Sequence, residues 1–161
     1  MKVHVKKTLK TDVDSAFKLC TEQKSQEKLY SSLGGTHQKV KRSGRAPAVQ
    51  LAVSRVMPAN PPAAIRKFVP ETNEVSHTES WAADGKGFAA DIAVEIKGVP
   101  VKIRGTKSLQ PEKTGTSVEW NFEVTSGMLL VGGLLAAFAG QELEQNLEAE
   151  FAELKKLADH Q

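Results

Sequence analysis

The chain has 161 residues, 40% hydrophobic and 25% charged, which suits one globular domain with its own core (residues 1–161) and excludes a disordered chain. One cysteine, Cys20, rules out an internal disulfide and leaves no thiolate cluster for a metal, so a reducing, cytoplasmic setting is expected, with no metal and no cofactor. The net charge of +3 conceals a division: residues 1–70 carry 14 Lys/Arg against 4 Asp/Glu, whereas residues 71–161 carry 8 against 15.

In chain order, residues 2–9 alternate, with Val3, Val5 and Leu9 on one side, and predict a half-buried strand. This opening lacks the apolar run of a signal peptide. Thr11-Asp12-Val13-Asp14 supplies capping chemistry for a short helix whose apolar face is Ala16, Phe17 and Cys20. A second short helix is expected over 25–33, ended by Gly34-Gly35. Strands follow at 36–43 and 47–57, with Ser43-Gly44-Arg45-Ala46 as the turn between them. The proline-rich stretch 58–70 cannot be a strand; Pro61 and Pro62 suit the first turn of a short helix docked by Ile65 and Phe68.

Four further strands are predicted at 73–82, 87–97, 100–110 and 115–125, with turns at 84–87, 98–100 and 111–115. One face of this meander gathers Val75, His77, Glu79 and Trp81; Phe88, Ala90, Ile92, Val94 and Ile96; Val101, Ile103, Gly105 and Leu109; and Val118, Trp120, Phe122 and Val124. Such an apolar face needs a cover, and only the stretch from Gly127 to Ala158 is long enough to supply one. The second half of that stretch is an amphipathic helix, with Leu143, Leu147, Phe151, Leu154 and Ala158 on one face. Its first half is small on that face (Gly132 or Gly133, Ala136, Gly140) and apolar elsewhere, which predicts space beneath it. The 13-residue apolar run from Met128 to Gly140 is too short to span a bilayer.

The element order β-α-α-β-β-(short α)-β-β-β-β-α predicts an α+β protein: about seven antiparallel strands and a long closing helix. That order resembles the helix-grip fold of the START-like (SRPBCC) superfamily, in which a curved sheet wraps the C-terminal helix. Particular residues make the chain similar to a bacterial domain-of-unknown-function family within it: Arg55-Val56-Met57-Pro58, Ile65-Arg66-Lys67-Phe68, Glu79-Ser80-Trp81, Gly98-Val99-Pro100-Val101, the turn from Leu109 to Gly115, and Leu130-Val131-Gly132-Gly133. The chain departs from that family's pattern at Ser126-Gly127-Met128, where relatives carry a proline, so the resemblance leaves the start of the last helix open. The resemblance implies a small apolar ligand, such as a lipid, polyketide or quinone, held between sheet and helix.

On this reading the ligand-contacting residues are Trp81, Phe88, Ile92, Ile103, Trp120 and Phe122 on the sheet, with Gly133, Ala136, Ala137 and Gly140 on the helix. His77 and Glu79 project to the same side of one strand, and Arg55 shares the inner face of another with Val53 and Met57. In a dry cavity these three could hold a polar ligand group or act as an acid–base set, the basis of an alternative enzymatic reading of cyclase, dehydratase or hydrolase type. Arg55 could equally anchor a carboxylate or neutralise Glu79. A third reading is an interaction module: the basic first half meeting anionic surfaces, and Leu130, Leu134, Leu135 and Phe138 forming a homodimer contact or touching a membrane peripherally. Aromatic residues do not interleave with the basic residues of 36–45, so specific nucleic-acid recognition is not expected. Gly85-Lys86-Gly87 resembles part of a dinucleotide-binding glycine pattern but is followed by a strand where that chemistry needs a helix N-terminus.

Overall fold

Alternating apolar residues become strands wherever one face can be buried, and here seven such segments join a single antiparallel sheet. The computed structural model describes residues 1–160, in the order β1 (Lys2–Leu9), α1 (Val13–Thr21), α2 (Gln23–Ser32), β2 (Thr36–Arg45), β3 (Ala48–Pro58), a 3-10 turn (Ala63–Ile65), β4 (Thr72–Asp84), β5 (Gly87–Ile96), β6 (Lys102–Glu112), β7 (Gly115–Thr125) and α3 (Gly132–Asp159). The sheet order is β1-β7-β6-β5-β4-β3-β2: a meander from β2 to β7, to which β1 adds at the far edge. Asp12 caps α1 by accepting a hydrogen bond from the Ser15 backbone N–H at 2.8 Å.

The predicted turn at 43–46 lies two residues too early. Arg45 pairs with Ala48, so the β2–β3 loop is Ala46-Pro47, and Ser43 and Gly44 remain in the ladder opposite Gln50 and Val49. Proline lacks the N–H that a ladder uses, which is a stronger constraint than the flexibility of Gly44. The β4–β5 turn falls as expected, with Gly85 at φ +59° between the paired Asp84 and Gly87.

The inner sheet face and α3 enclose the main core, which includes Leu9, Phe17, Leu51, Trp81, Leu109, Trp120, Leu147 and Leu154. A smaller cluster of Ile65, Val69, Val99 and Leu135 closes the end of the molecule where the β3–β4, β5–β6 and β7–α3 connections meet. There the Ser126 hydroxyl donates to the Pro100 carbonyl at 2.6 Å, tying two of these connections together. The last helix begins at Gly132, with Leu129 and Leu130 in the preceding loop, and Leu130 adopts φ +68°. No helix of the described residues is long and apolar enough to cross a membrane.

Candidate functional site

A cavity of about 140 Å³ lies between the sheet and α3. Its walls follow from strand parity. Ile92, Val94 and Ile96 of β5, Ile103 of β6 and Phe122 of β7 all project inward at alternate positions, as do Val75, His77 and Glu79 of β4. The Phe122 ring reaches its place because its cross-strand partner is Gly105, where a Cβ would collide with both the ring and the Asn121 carbonyl. The roof is the α3 stripe Leu135, Phe138, Ala139, Glu142, Leu143, Asn146, Leu147 and Glu150.

Of the residues expected from the sequence, Ile92, Ile103, Trp120 and Phe122 line this cavity, and so do His77, Glu79 and Arg55. Trp81 and Phe88 do not: they pack on Phe17 of α1, edge to face at 5.5 Å and stacked at 4.0 Å respectively. The expected helical roof of Gly133, Ala136, Ala137 and Gly140 is also corrected. Gly133 is exposed, and Gly140 faces the Met1 side chain, so its missing Cβ makes room for the start of β1. The Met1 ammonium is fixed there by donating to the Val124 carbonyl at 2.6 Å. Docking on β1 and β7 therefore turns the smallest face of α3 towards the edge of the sheet and the Leu135–Ala139–Leu143 face towards the cavity.

The patch of Leu130, Leu134, Leu135 and Phe138 breaks up for the same reason. Leu135 is buried in the small cluster and Phe138 lines the cavity, which leaves Leu130 and Leu134, joined by Leu129, in solvent. The basic first half contributes Lys39 and Lys41 to the opposite sheet face, where with Lys102 and Arg104 they flank a wide, shallow depression.

One side of the cavity is a buried polar network. The Arg55 guanidinium lies over the Tyr30 ring at 4.5 Å from its centre, and Arg55 Nη1 is 2.7 Å from His77 Nδ1. Because a guanidinium can only donate, Nδ1 accepts, and the ring proton belongs on Nε2. His77 Nε2 then donates to Glu79 Oε2 at 2.8 Å, with the Tyr30 hydroxyl at 3.3 Å. Trp81 Nε1 donates to the other Glu79 oxygen at 2.9 Å. Burial pushes the Glu79 carboxyl up, but hydrogen bonds from His77 and Trp81 and the charge of Lys107 outweigh it and hold the group below its usual value.

Lys107 and Glu150 face each other deeper in the cavity, Nζ to Oε2 at 3.8 Å, with the ammonium 5.0 Å from the centre of the Trp120 ring. Burial raises Glu150 above the usual carboxylate value, and Lys107 only partly offsets this. Burial works against the charge on Lys107, yet the anionic surroundings hold it above the usual lysine range. Cys20 contributes little to that, because burial raises its thiol too and keeps it protonated; the effective partners are Glu150 and Glu79. Tyr30 is likewise driven well above its usual value by burial.

Lys107, Glu150 and Tyr30 escaped the sequence reading, although two of them carried a signal. Lys107 has the same parity as Ile103, Gly105 and Leu109, and Glu150 sits between Leu147 and Leu154 at helical spacing. Reading inner faces by hydrophobicity passes over such charges. Two buried polar atoms have no partner among the described residues, Arg55 Nε and Asn73 Oδ1, and both residues line the cavity. No group of three or more His, Cys, Asp and Glu among the described residues is gathered as a metal site would require.

A curved antiparallel sheet folded over a long C-terminal helix, with two short helices after the first strand, defines the START-like helix-grip class. Within it, the chain belongs to a family described as a protein of unknown function, DUF2505, matched over residues 4–157. The fold is similar to that of TTHA0849 from Thermus thermophilus, at 17% identity and TM-score 0.69 over 98% of this chain and 97% of that one. Ara h 8.0201 is similar at 12% identity and TM-score 0.66, over 100% of this chain and 99% of its own. A STAR-related lipid transfer protein fragment from Xanthomonas axonopodis is similar at 13% identity and TM-score 0.62, over 97% and 84% respectively. At these identities the likeness concerns the fold alone. No curated protein matches the sequence.

Proposed function

We propose that this protein binds a small apolar molecule in the cavity between the sheet and α3, inside the cell and without converting it. The observation that carries the reading is a cavity of about 140 Å³ walled by Ile92, Val94, Ile96, Ile103, Phe122 and Phe138, left unfilled where a close-packed core would have side chains. A lipid, polyketide or quinone type of ligand suits such walls, and one of the structural neighbours is described as a lipid transfer protein.

The enzymatic reading retains one supporting observation, the buried His77–Glu79 pair at 2.8 Å on the cavity wall. Against it, both ring nitrogens are engaged: Arg55 donates to Nδ1 and Nε2 donates to Glu79. A general base needs a free lone pair within reach of its substrate, and here Arg55 must move before His77 has one. Binding is therefore the preferred function. Leu129, Leu130 and Leu134 remain exposed for a partner or a membrane surface beside the same end of the molecule.

Ala139→Phe tests the reading, because it drives a phenyl ring into the cavity from the roof. It is expected to abolish uptake of the neutral fluorescent probe Nile red while thermal unfolding stays cooperative. Undiminished uptake by the folded variant would place the binding site elsewhere.

A further inference from the structure

The charges around the cavity are not evenly matched. Glu79 is held by His77 and Trp81, and Glu150 faces Lys107. Arg55 forms no ion pair with a carboxylate among the described residues, and Glu142 of the roof likewise has no cation partner there. Its charge is permanent, its side chain is half-buried, and its Nε–H is shut off from solvent without an acceptor. A cation in a poorly hydrated site favours an anion strongly, and a buried donor without an acceptor carries a desolvation cost that a ligand oxygen would relieve.

We propose that the cavity takes an apolar molecule ending in a carboxylate, and that Arg55 holds that end. The inference rests on the reading of the cavity as an apolar binding site and adds the chemistry of its ligand. Arg55 pairs across the ladder with Val75, and Val75 with Ile96, which places it in the row next to the end where the loops meet. Beyond that row Val94, Ile103, Phe122 and Phe138 supply apolar wall beside His77 and Glu79, before the deeper Lys107–Glu150 pair. The acid group therefore sits towards the loops, and its hydrocarbon body runs inward beneath α3.

The remaining polar groups restrict where an anionic group can sit. Asn73 Oδ1 is an acceptor, so it repels a carboxylate and suits a water or a hydroxyl. Lys107 is already matched by Glu150 and Glu79, and Glu142 adds a further carboxylate to the lining, so Arg55 is the cation left for a ligand and one negative charge is repelled less there than two.

The test compares decanoate with 1-decanol, which share a chain and differ in the head group, by calorimetric titration of wild type and of Arg55→Met. Wild type is expected to bind decanoate about tenfold or more tightly than 1-decanol, and Arg55→Met to lose that preference while still binding the alcohol. The wild-type comparison stands even if the variant fails to fold. Equal affinity of wild type for the two compounds overturns the carboxylate inference and leaves the apolar cavity standing. Failure of both compounds to bind overturns the cavity reading as well. A folded Arg55→Met that keeps the preference removes Arg55 from the role.

Discussion

Replacing Lys107 by methionine keeps the length of the side chain and removes its charge from a site only 2% exposed. The Glu150 carboxylate at 3.8 Å then loses its cation, and Glu79 loses one of the charges that hold it ionised. Two unit charges at that separation attract by about 4 kcal/mol at an effective dielectric constant of about 20. Breaking a buried pair from one side costs about 3–5 kcal/mol, because the desolvated partner is left behind. For a domain of this size that corresponds to a fall in melting temperature of roughly 10 °C. Lys107→Met with Glu150→Met should recover most of the loss, since well-packed apolar residues often replace a buried pair at little net cost. Urea unfolding of wild type, both single variants and the double variant measures the coupling directly. The single variant should also lose less at pH 5 than at pH 8, because protonation relieves the stranded carboxylate. Additive single and double variants, or a Lys107→Met loss below about 1 kcal/mol, would refute the idea that these charges depend on each other.

Glu150 gives a separate pH signature. Its carboxyl is raised in the folded state, so the folded protein holds that proton more tightly than the unfolded chain does. The stability of wild type relative to Glu150→Gln should therefore decline as pH rises from the usual carboxylate range through the raised folded value; a pH-independent difference would contradict the burial of this group. Gly140→Ala should change stability by less than about 1 kcal/mol, because the gain in helix propensity is offset by displacing the Met1 side chain from the space that the new Cβ takes. The same substitution should leave Nile red uptake unchanged, and a lost uptake would return Gly140 to the cavity roof.

The element order, the parity of each strand and hence the helix-grip architecture are legible in the amino-acid sequence. Alternation from β4 to β7 is regular enough that a slip of one residue would expose Trp81, Trp120 and Leu109 together, so register is over-determined. That same parity carries His77 and Glu79 inward. It also carries Lys107, but hydrophobicity is a poor guide to an inner position occupied by a charge whose partner lies on another element. The helical roof, by contrast, is set by packing between distant elements. A small stripe on a helix states that something approaches closely, and α3 uses its stripe to receive Met1 and β1. Which face then remains for the cavity depends on the rotation of a helix about its own axis, and that rotation is set by packing against a sheet edge more than 100 residues away in the chain. The opening stretch from Gly132 to Gly140 is the roof region, but its cavity-facing residues are Leu135, Phe138 and Ala139, the larger side chains that a search for empty space among glycines passes over.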